Sequence, residues 1–357
     1  MLEIRGIEND VNELETNYIK WWQTYERMLQ ISAEDKTLKA AYKTKLRSLS
    51  QGLLDTLQLP NDIASCSYES SEDGDLDIEL AKQKHTEYLY AAGMLKSTSH
   101  PPSLNVVGYP ALLAFLLEQF FSDSFRTIGT LVLPSCFVRP AVIEGVNISL
   151  ETYLPFTDGP DNAVLMYLTG HGLVSLASLF VRKVVSYHSA KDPLRVFSVG
   201  CAYSNFIFPN RCADDCCLSK LDLLTVPQRT KLAVLSICPR EEVEANEYTF
   251  MKEYIDNLMH KFDLPLKFKR LKAKELYNYE SEAESLMYKD IELARISRSG
   301  EYIPRRLNIM MKEKEVLHFS FLNYAEIDIT SVMAAFLEEN IIQKRTDIPD
   351  FLNDSYN

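Results

Sequence analysis

The chain has 357 residues, more than a single hydrophobic core usually holds, so at least two folded units are expected. Its formal net charge is −12, from 50 acidic and 38 basic residues. That balance excludes a general nucleic-acid coat and leaves room only for local basic patches. No apolar run approaches the roughly 18 residues that a membrane span needs, so no membrane partner is expected. The seven cysteines are predicted to be reduced thiols, because no export signal is visible.

The first segment carries the clearest periodicity. Apolar side chains recur in alternating steps of three and four, the repeat of a coiled-coil seam. They are Ile4, Ile7, Val11, Leu14, Tyr18, Trp21, Tyr25 and Met28. After a break in which Ser32 is a candidate N-cap, a second stripe follows: Leu38, Tyr42, Leu46, Leu49, Leu53 and Leu57. The two stripes predict an antiparallel helical hairpin over residues 1–62.

Four basic residues, Lys36, Lys39, Lys43 and Arg47, recur at helical spacing on the second helix. Such a row is either a solvated outer face or a stripe that contacts phosphates, and spacing alone does not separate the two. Trp21 and Trp22 are adjacent, so one faces the seam and the other lies outside. The outer ring has two interpretations, stacking on RNA or packing on a partner domain.

The remainder divides into an acidic, polar linker over 63–104, with one helix at 79–95, and an α+β domain over 105–357. Helices are predicted at 108–125, 241–262 and 330–343, and a strand followed by a helix at 162–186. Strands are predicted at 127–138 (interrupted at Pro134), 193–204, 221–227, 230–239, 266–273, 290–297, 305–313 and 316–326. Strands in close succession indicate an antiparallel sheet.

This order of elements resembles seryl-tRNA synthetase, and the resemblance covers nearly the whole chain. "ALLAFLLEQFFSDSFRTIGTLVLPSCFV" is similar to the first class II motif, with Pro134 as its central proline at the dimer interface. "FLNYAEIDITSVMAAFLEENIIQ" resembles the third motif and "TDIPDFL" the family's C-terminal segment. The resemblance implies an α+β fold: a class II synthetase-like antiparallel sheet with flanking helices, preceded by the helical hairpin.

The chemistry-bearing positions of that family are replaced here. Leu173 stands where a glutamate binds serine, and Ala233 where a second carboxylate is expected. In "CAYSNFI", Tyr203 replaces the arginine that clamps the α-phosphate of ATP, and Asn205 replaces a glutamate. Val332 falls about where the third-motif arginine should be. Because phosphoryl chemistry depends on cations placed against negative charge, no serine activation, no catalytic residue and no cofactor are predicted.

The combination resembles the seryl-tRNA synthetase-like insect mitochondrial proteins, paralogues that kept the fold and lost aminoacylation. That resemblance implies the mitochondrial matrix, tRNA (tRNA-Ser) as a ligand, and the active mitochondrial seryl-tRNA synthetase as heterodimer partner, with no DNA. The first residues show no presequence pattern, so the compartment rests on the resemblance alone. Two alternatives stay open: a divergent, active class II ligase, and an interaction scaffold without tRNA binding.

Two further groups of residues, a set of cysteines and a histidine between glycines, could suggest a site. Cys201, Cys212, Cys216 and Cys217 lack the paired C-x2-C spacing of zinc knuckles, so no metal site is predicted. His171 lies between two glycines, but no nearby serine or cysteine has a nucleophile frame, so a packed or solvated histidine is predicted rather than a base.

Overall fold

The computed structural model describes residues 4–5, 11–32, 35–67, 84–99, 102–158, 163–186, 193–205, 222–313, 316–343 and 348–353. Its helices are α1 Val11–Gln30, α2 Lys36–Ser48, α3 Ser50–Leu57, α4 Lys84–Ala91, α5 Tyr109–Arg126, α6 Pro140–Val146, α7 Leu173–Ser178, α8 Glu241–Met259, α9 Tyr302–Leu307, α10 Ile329–Gln343 and α11 Asp350–Asn353. None of these helices is both long and apolar enough to cross a membrane.

The strands are β1 Leu95–Ser99, β2 Pro102–Val106, β3 Thr130–Leu131, β4 Phe137–Val138, β5 Leu154–Asp158, β6 Ala163–Leu168, β7 Val184–Ser186, β8 Leu194–Tyr203, β9 Gln228–Cys238, β10 Leu266–Arg270, β11 Glu282–Tyr288, β12 Ile291–Gly300, β13 Met310–Glu313, β14 Val316–Phe319 and β15 Phe321–Asp328. Seven of them form the main sheet, in the order β10-β11-β12-β15-β9-β8-β3. All neighbours in it are antiparallel except β3 and β8, so the predicted α+β class and the antiparallel sheet are confirmed.

The predicted N-terminal helix pair is confirmed, with α1 packed against α2 and α3. The seam differs in detail, because the more buried positions of α1 include Asn17 and Thr24, whereas the predicted Val11 and Tyr18 are exposed. A polar residue is tolerated at the seam because the Thr24 hydroxyl donates to the Lys20 carbonyl at 2.7 Å. Of the first two predicted seam residues, Ile4 lies in a turn ahead of α1 and Ile7 lies outside the described residues.

The N-cap of α2 is Asp35 and not Ser32, which corrects the sequence prediction. The Asp35 carboxylate accepts from the Leu38 N–H at 3.1 Å and so satisfies one of the free donors of the first turn. At the other end of the second arm, Gly52 lies directly against α1. A Cβ at Gly52 would meet the Asn17 Cβ at 2.7 Å, so the missing side chain allows the close approach.

The main sheet has a hydrophobic core on each face. One face packs against α5, α8 and α10, and the other packs against α6, α7 and α9. Alternate residues of β9 supply the two cores, with Leu232 and Val234 on the first face and Ala233 and Leu235 on the second. The sheet is therefore a buried middle layer.

Pro134 separates β3, which joins the main sheet, from β4, which joins the three-stranded sheet β4-β6-β5, so the predicted interruption is observed. The strand predicted at 316–326 is divided into β14 and β15, which join different sheets. Two other strand predictions are wrong. The described part of 221–227 is a turn, in which the Leu224 N–H donates to Asp222 Oδ1 at 2.8 Å. The segment 305–313 begins in helix α9 and becomes strand β13 only at Met310.

Part of the segment expected to be a linker is folded onto the core. The helix predicted at 79–95 is observed as α4, and a hairpin of β1 and β2 follows it. His85 is fully buried, and its Nδ1 lies 2.8 Å from Glu338 Oε2 on α10. Leu89 and Leu95 belong to the first core. Burial of these apolar side chains explains why this part of the segment folds onto the core despite its polar sequence. The division into domains at residues 62 and 104 stays a prediction.

Candidate functional site

A cavity of about 440 Å³ lies over the ends of β8, β9 and β15. Its wall contains an unusual number of phenol rings: Tyr153, Tyr203, Tyr277, Tyr279 and Tyr324. The other lining residues are Asn147, Ile148, Ser149, Thr152, Thr169, His171, Gly172, Leu173, Val174, Ser175, Ala202, Ser204, Pro227, Arg229, Lys231, Leu276, Asn278 and Glu326. The cavity is large enough for a small molecule, and its charged side chains decide which kind of molecule it can bind.

The first charged group in the cavity is a pair formed across two strands. Lys231 of β9 lies diagonally across from Glu326 of β15, which places both side chains on one face of the sheet. Their Nζ and Oε1 atoms are 2.9 Å apart, and the Tyr324 hydroxyl donates to Glu326 Oε2 at 2.7 Å. Burial lowers the pKa of Lys231, but Glu326 and Asp328 raise it more, so that its pKa lies above the ordinary value. Burial raises the pKa of Glu326, yet Lys231 lowers it below the ordinary value, so the pair is ionised.

The second charged group joins Arg229 to Asp328. Arg229 Nε lies 3.0 Å from Asp328 Oδ2, and its guanidinium also donates to the Ser331 hydroxyl at the start of α10. Asp328 Oδ1 accepts from the Ser331 N–H at 2.9 Å, so the same carboxylate caps the helix. Burial raises the pKa of Asp328 despite the neighbouring cations. Among the described residues that line the cavity, both Lys231 and Arg229 are thus held by carboxylates.

Tyr203 is fixed at the rim of the cavity by a glycine contact. The Tyr203 N–H donates to the Thr169 carbonyl at 3.1 Å. Gly170, which follows Thr169, forms an isolated β-bridge with Ala202, the residue before Tyr203. A Cβ at Gly170 would lie 2.2 Å from the Cys201 carbonyl oxygen, so only glycine fits. Burial raises the pKa of the Tyr203 phenol, which therefore stays neutral and offers no charge to an anion.

His171 packs on a second glycine at the back of the cavity. A Cβ at Gly200 would lie 2.7 Å from His171 Nε2, and the His171 Nδ1 atom has no hydrogen-bond partner among the described residues. Burial lowers the pKa of His171, so the imidazole is neutral at physiological pH. The histidine therefore adds no cation to the cavity.

The five replaced positions do not all face the cavity. Leu173 and Tyr203 line it. Asn205 lies beside it, and its N–H donates to the Thr152 carbonyl at 2.7 Å. Ala233 is buried beneath α7 in the second core, and Val332 is buried in the first core, on the other side of the sheet. Because Val332 points into the core, it cannot be the position from which a side chain would reach the cavity; its neighbour Ser331 contacts Arg229 instead.

Arg229 and Lys231 were not singled out by the sequence prediction. Their spacing of two places both on one face of β9, although the strand was predicted to begin only at Thr230, after Arg229. No local signal indicates that carboxylates nearly a hundred residues later would hold them, since that depends on strand register. Of the four cysteines for which no metal site is predicted, Cys212, Cys216 and Cys217 lie outside the described residues. Within the described chain no cluster of three or more potential metal ligands occurs.

The base of the hairpin is joined to the cavity wall. Asn61 donates from its backbone to the Asn278 carbonyl at 2.7 Å and from its side chain to the Tyr279 carbonyl at 3.0 Å. Asn147, which lines the cavity, donates to the Leu59 carbonyl at 3.2 Å. Ahead of α1, Arg5 donates to the Tyr277 carbonyl at 3.1 Å. The hairpin is therefore anchored on both of its ends to the same loop.

The basic row of the hairpin lies on α2. Lys36, Lys43 and Arg47 are exposed and Lys39 is half-buried. No carboxylate of the described chain forms an ion pair with any of the four. Residues 36–54 contain five basic and no acidic residues, in a chain whose formal net charge is −12. This face combines free cations with a low local density of acids.

Pro134 itself is buried within the chain, so its ring is not an interface contact. Its neighbour Leu133 is 86% exposed. Further exposed apolar side chains occur on β3 and on one face of the β4-β6-β5 sheet: Leu131, Phe137, Leu154, Phe156 and Met166. A patch of this kind marks an interaction surface.

The fold is shared with solved seryl-tRNA synthetases. One similar structure is the cytoplasmic serine-tRNA ligase of Naegleria fowleri in complex with AMP, with a TM-score of 0.74 and 13% sequence identity over 99% of this chain and 92% of that one. Another is the seryl-tRNA synthetase of Pyrococcus horikoshii complexed with ATP, with a TM-score of 0.68 and 15% identity over 96% and 90% of the two chains. No protein-family model and no curated protein matches the sequence. At these identities the likeness shows the fold alone: this chain has the fold of a seryl-tRNA synthetase.

Proposed function

We propose that the chain is a non-catalytic seryl-tRNA synthetase paralogue that binds tRNA, of the tRNA-Ser class, and supports the active mitochondrial seryl-tRNA synthetase as its partner in the mitochondrial matrix. The observation that carries the proposal is a contrast between two sets of cations. Those of the cavity, Arg229 and Lys231, are held by carboxylates, whereas those of α2 form no ion pair with any carboxylate of the described residues.

The cavity supports the non-catalytic part of the proposal. Activation of an amino acid by ATP needs cations set against the phosphates, where negative charge develops. In this cavity Lys231 is ion-paired with Glu326 and Arg229 with Asp328. Tyr203 and Leu173, which also line it, carry no charge. Within the part of the chain that the structure describes, a triphosphate would have to break two ion pairs before it gained a cation from this cavity, and that balance opposes binding.

The hairpin supports the RNA-binding part. Lysine and arginine neutralise backbone phosphates without reading sequence, and each phosphate contact adds about 0.9 to the slope of log affinity against log salt. The exposed members of the basic row, Lys36, Lys43 and Arg47, are available for such contacts because no described carboxylate pairs with them. For the partner, the apolar surface around Leu133 offers a face that a second chain of the same fold can cover.

The test combines activity, binding and assembly. Serine-dependent ATP–pyrophosphate exchange is expected to stay at background, and exchange above background would favour the divergent ligase instead. Replacing Lys36, Lys39, Lys43 and Arg47 by Ala is expected to weaken tRNA binding and to lower the salt slope by about 3. Lys45→Ala, on the opposite flank of α2, is the matched control. Unchanged affinity in the four-residue variant would favour an interaction scaffold without tRNA binding.

Assembly is tested by mixing the chain with mitochondrial seryl-tRNA synthetase and measuring the mass of the product. A one-to-one complex is expected, and Leu133→Asp is expected to abolish it, because a carboxylate would be buried without a partner. A chain that forms only homodimers and ignores the synthetase would contradict the proposed partner.

A further inference from the structure

Four aromatic rings follow one another along α1. Trp21 and Tyr25 stack at 5.3 Å between ring centroids, and Tyr18 and Trp22 stack at 6.3 Å with planes 19° apart. Trp22 is 43% exposed and Tyr18 is 36% exposed, so this second pair lies open on the helix surface. The Trp22 indole N–H donates to Glu26 Oε1 at 3.0 Å, which holds the ring in place. Tyr18 and Trp22 therefore form a partly exposed pair of aromatic rings on the surface of the hairpin.

Helical geometry puts these rings on the same side of the hairpin as the cations. Trp22 follows the seam residue Trp21, and Lys43 and Arg47 follow the half-buried seam residues Tyr42 and Leu46. In a helix the next residue is rotated by about 100° from the seam. Because two antiparallel helices rotate in opposite senses when viewed from one end, the residues that follow the seam on both helices point to the same side. Trp22, Lys43 and Arg47 therefore share one side.

The register of the hairpin sets them at similar heights. Gly52 lies directly against Asn17. Five residues onward from Asn17 is Trp22, and five residues back from Gly52 is Arg47, so these two lie level across the groove between α1 and α2. Lys43 lies one turn further along, level with Glu26, whose carboxylate accepts from the Trp22 indole. We call Tyr18, Trp22, Lys43 and Arg47 the aromatic–cation face.

We propose that the aromatic–cation face binds an unpaired nucleotide of an RNA, with its base stacked on Trp22 and its flanking phosphates against Arg47 and Lys43. The inference deepens the proposed RNA-binding function and rests on it. Unstacked bases find their strongest partners in exposed aromatic rings, and a row of cations beside the rings follows the strand. Neither Lys43 nor Arg47 forms an ion pair with a carboxylate of the described residues, so both can offer their positive charge to a phosphate.

RNA suits this face better than a lipid surface does. Glu26 lies beside Trp22 and would be carried towards the acyl chains if the ring entered a membrane. Against RNA the same carboxylate stays in water, where it can accept a hydrogen bond from the amino group of a stacked base. An unpaired base also needs only one accessible aromatic side chain, and Trp22, 43% exposed between Tyr18 and Tyr25, offers that.

The experiment uses the full chain with Trp21→Phe, which leaves Trp22 as its single tryptophan and therefore as the reporter. Single-stranded oligo-A is expected to quench Trp22 fluorescence, and the same strand paired with its complement is expected to quench it far less. Trp22→Leu removes the stacking surface but keeps an apolar side chain, so affinity for oligo-A should fall ~5- to 150-fold. Trp22→Phe keeps a ring and should retain most of the affinity.

Ile19→Ala is the matched control, because Ile19 is also exposed on α1 but points away from the groove side. Its affinity should equal that of the parent chain, and circular dichroism checks that every variant keeps its helices. If tRNA binds while Trp22 fluorescence and the Trp22→Leu affinity stay unchanged, this inference is overturned and the proposed function stands. If neither tRNA nor oligo-A binds the parent chain, both fall. Quenching by vesicles of anionic lipid but not by oligo-A would overturn it in favour of a membrane surface.

Discussion

Replacing Gly170 by Ala is a sharp test of how the rim of the cavity is built. Gly170 has φ +70°, a left-handed conformation that side chains other than glycine disfavour by about 1–2 kcal/mol. Its added Cβ would also lie 2.2 Å from the Cys201 carbonyl oxygen and 2.8 Å from Ala202 Cα. Both are backbone atoms, so no side chain can rotate away to make room.

The magnitude follows from these distances. An ordinary contact of a carbon atom is about 3.5 Å, so the strand that ends at Tyr203 has to move by roughly 1 Å. Overpacking of that size costs about 1–3 kcal/mol. Added to the conformational penalty, Gly170→Ala is expected to lower the free energy of unfolding by about 2–5 kcal/mol.

Gly93→Ala separates the two contributions. Gly93 has φ +69°, almost the same conformation, but a Cβ there would meet no atom within 4 Å. Both variants are unfolded in urea and followed by far-ultraviolet circular dichroism, since both tryptophans lie in the hairpin and would report it instead. The difference between the variants measures the contact alone, about 1–3 kcal/mol. If Gly170→Ala were no more destabilising than Gly93→Ala, the close approach described for the cavity rim would be wrong.

Three further variants test other parts of the structure. Glu338→Ala should lower the free energy of unfolding by about 2–6 kcal/mol, because the buried His85 ring nitrogen and backbone N–H both lose their hydrogen-bond partner, at about 1–3 kcal/mol each. Glu338→Gln, whose amide oxygen can still accept, should lose less; urea titration compares them, and equal losses would contradict these two contacts. Gly52→Ala gains about 1 kcal/mol of helix propensity, yet its Cβ has no room against α1, so the urea midpoint of tryptophan fluorescence should fall rather than rise. Glu326→Gln should be less stable than the parent above about pH 4.5, the ordinary pKa of a glutamate, because Lys231 holds the folded-state pKa of Glu326 below that value. The stability difference between parent and variant should shrink as the pH falls through that lower pKa, and a difference that does not change with pH would contradict the ion pair.

Strong local periodicity was enough to predict the longest elements. Helices α5 and α8 and strands β8 and β9 lie where their apolar patterns place them, because each buries a continuous face against the main sheet. The hairpin followed from two spaced stripes. Its seam was displaced by a residue at Asn17 because Gly52 opens space there, a fit between two helices that neither stripe encodes.

Strand β11 was missed for an electrostatic reason. Its sequence begins Glu-Ala-Glu-Ser, which breaks the expected alternation, yet Glu282, Glu284 and Ser285 are all buried. Glu284 is held by Lys252 at 2.5 Å and by Arg270 at 3.6 Å, both distant in sequence. A buried carboxylate is tolerated in a strand only with such partners, and they are assembled by the tertiary fold.

The sequence by itself determined the α+β class, the helical hairpin, its basic row and the uncharged residues Leu173 and Tyr203 that line the cavity. All of these are properties of residue type and local spacing. The tertiary structure alone decided that Val332 faces the core, that Pro134 is covered while Leu133 is exposed, and that Arg229 and Lys231 are held by Asp328 and Glu326. The two ion pairs depend on the register of β15 against β9, where residues nearly a hundred positions apart become neighbours, and no local pattern specifies that register. The burial of Val332 and Pro134 depends on how their segments pack against the rest of the chain.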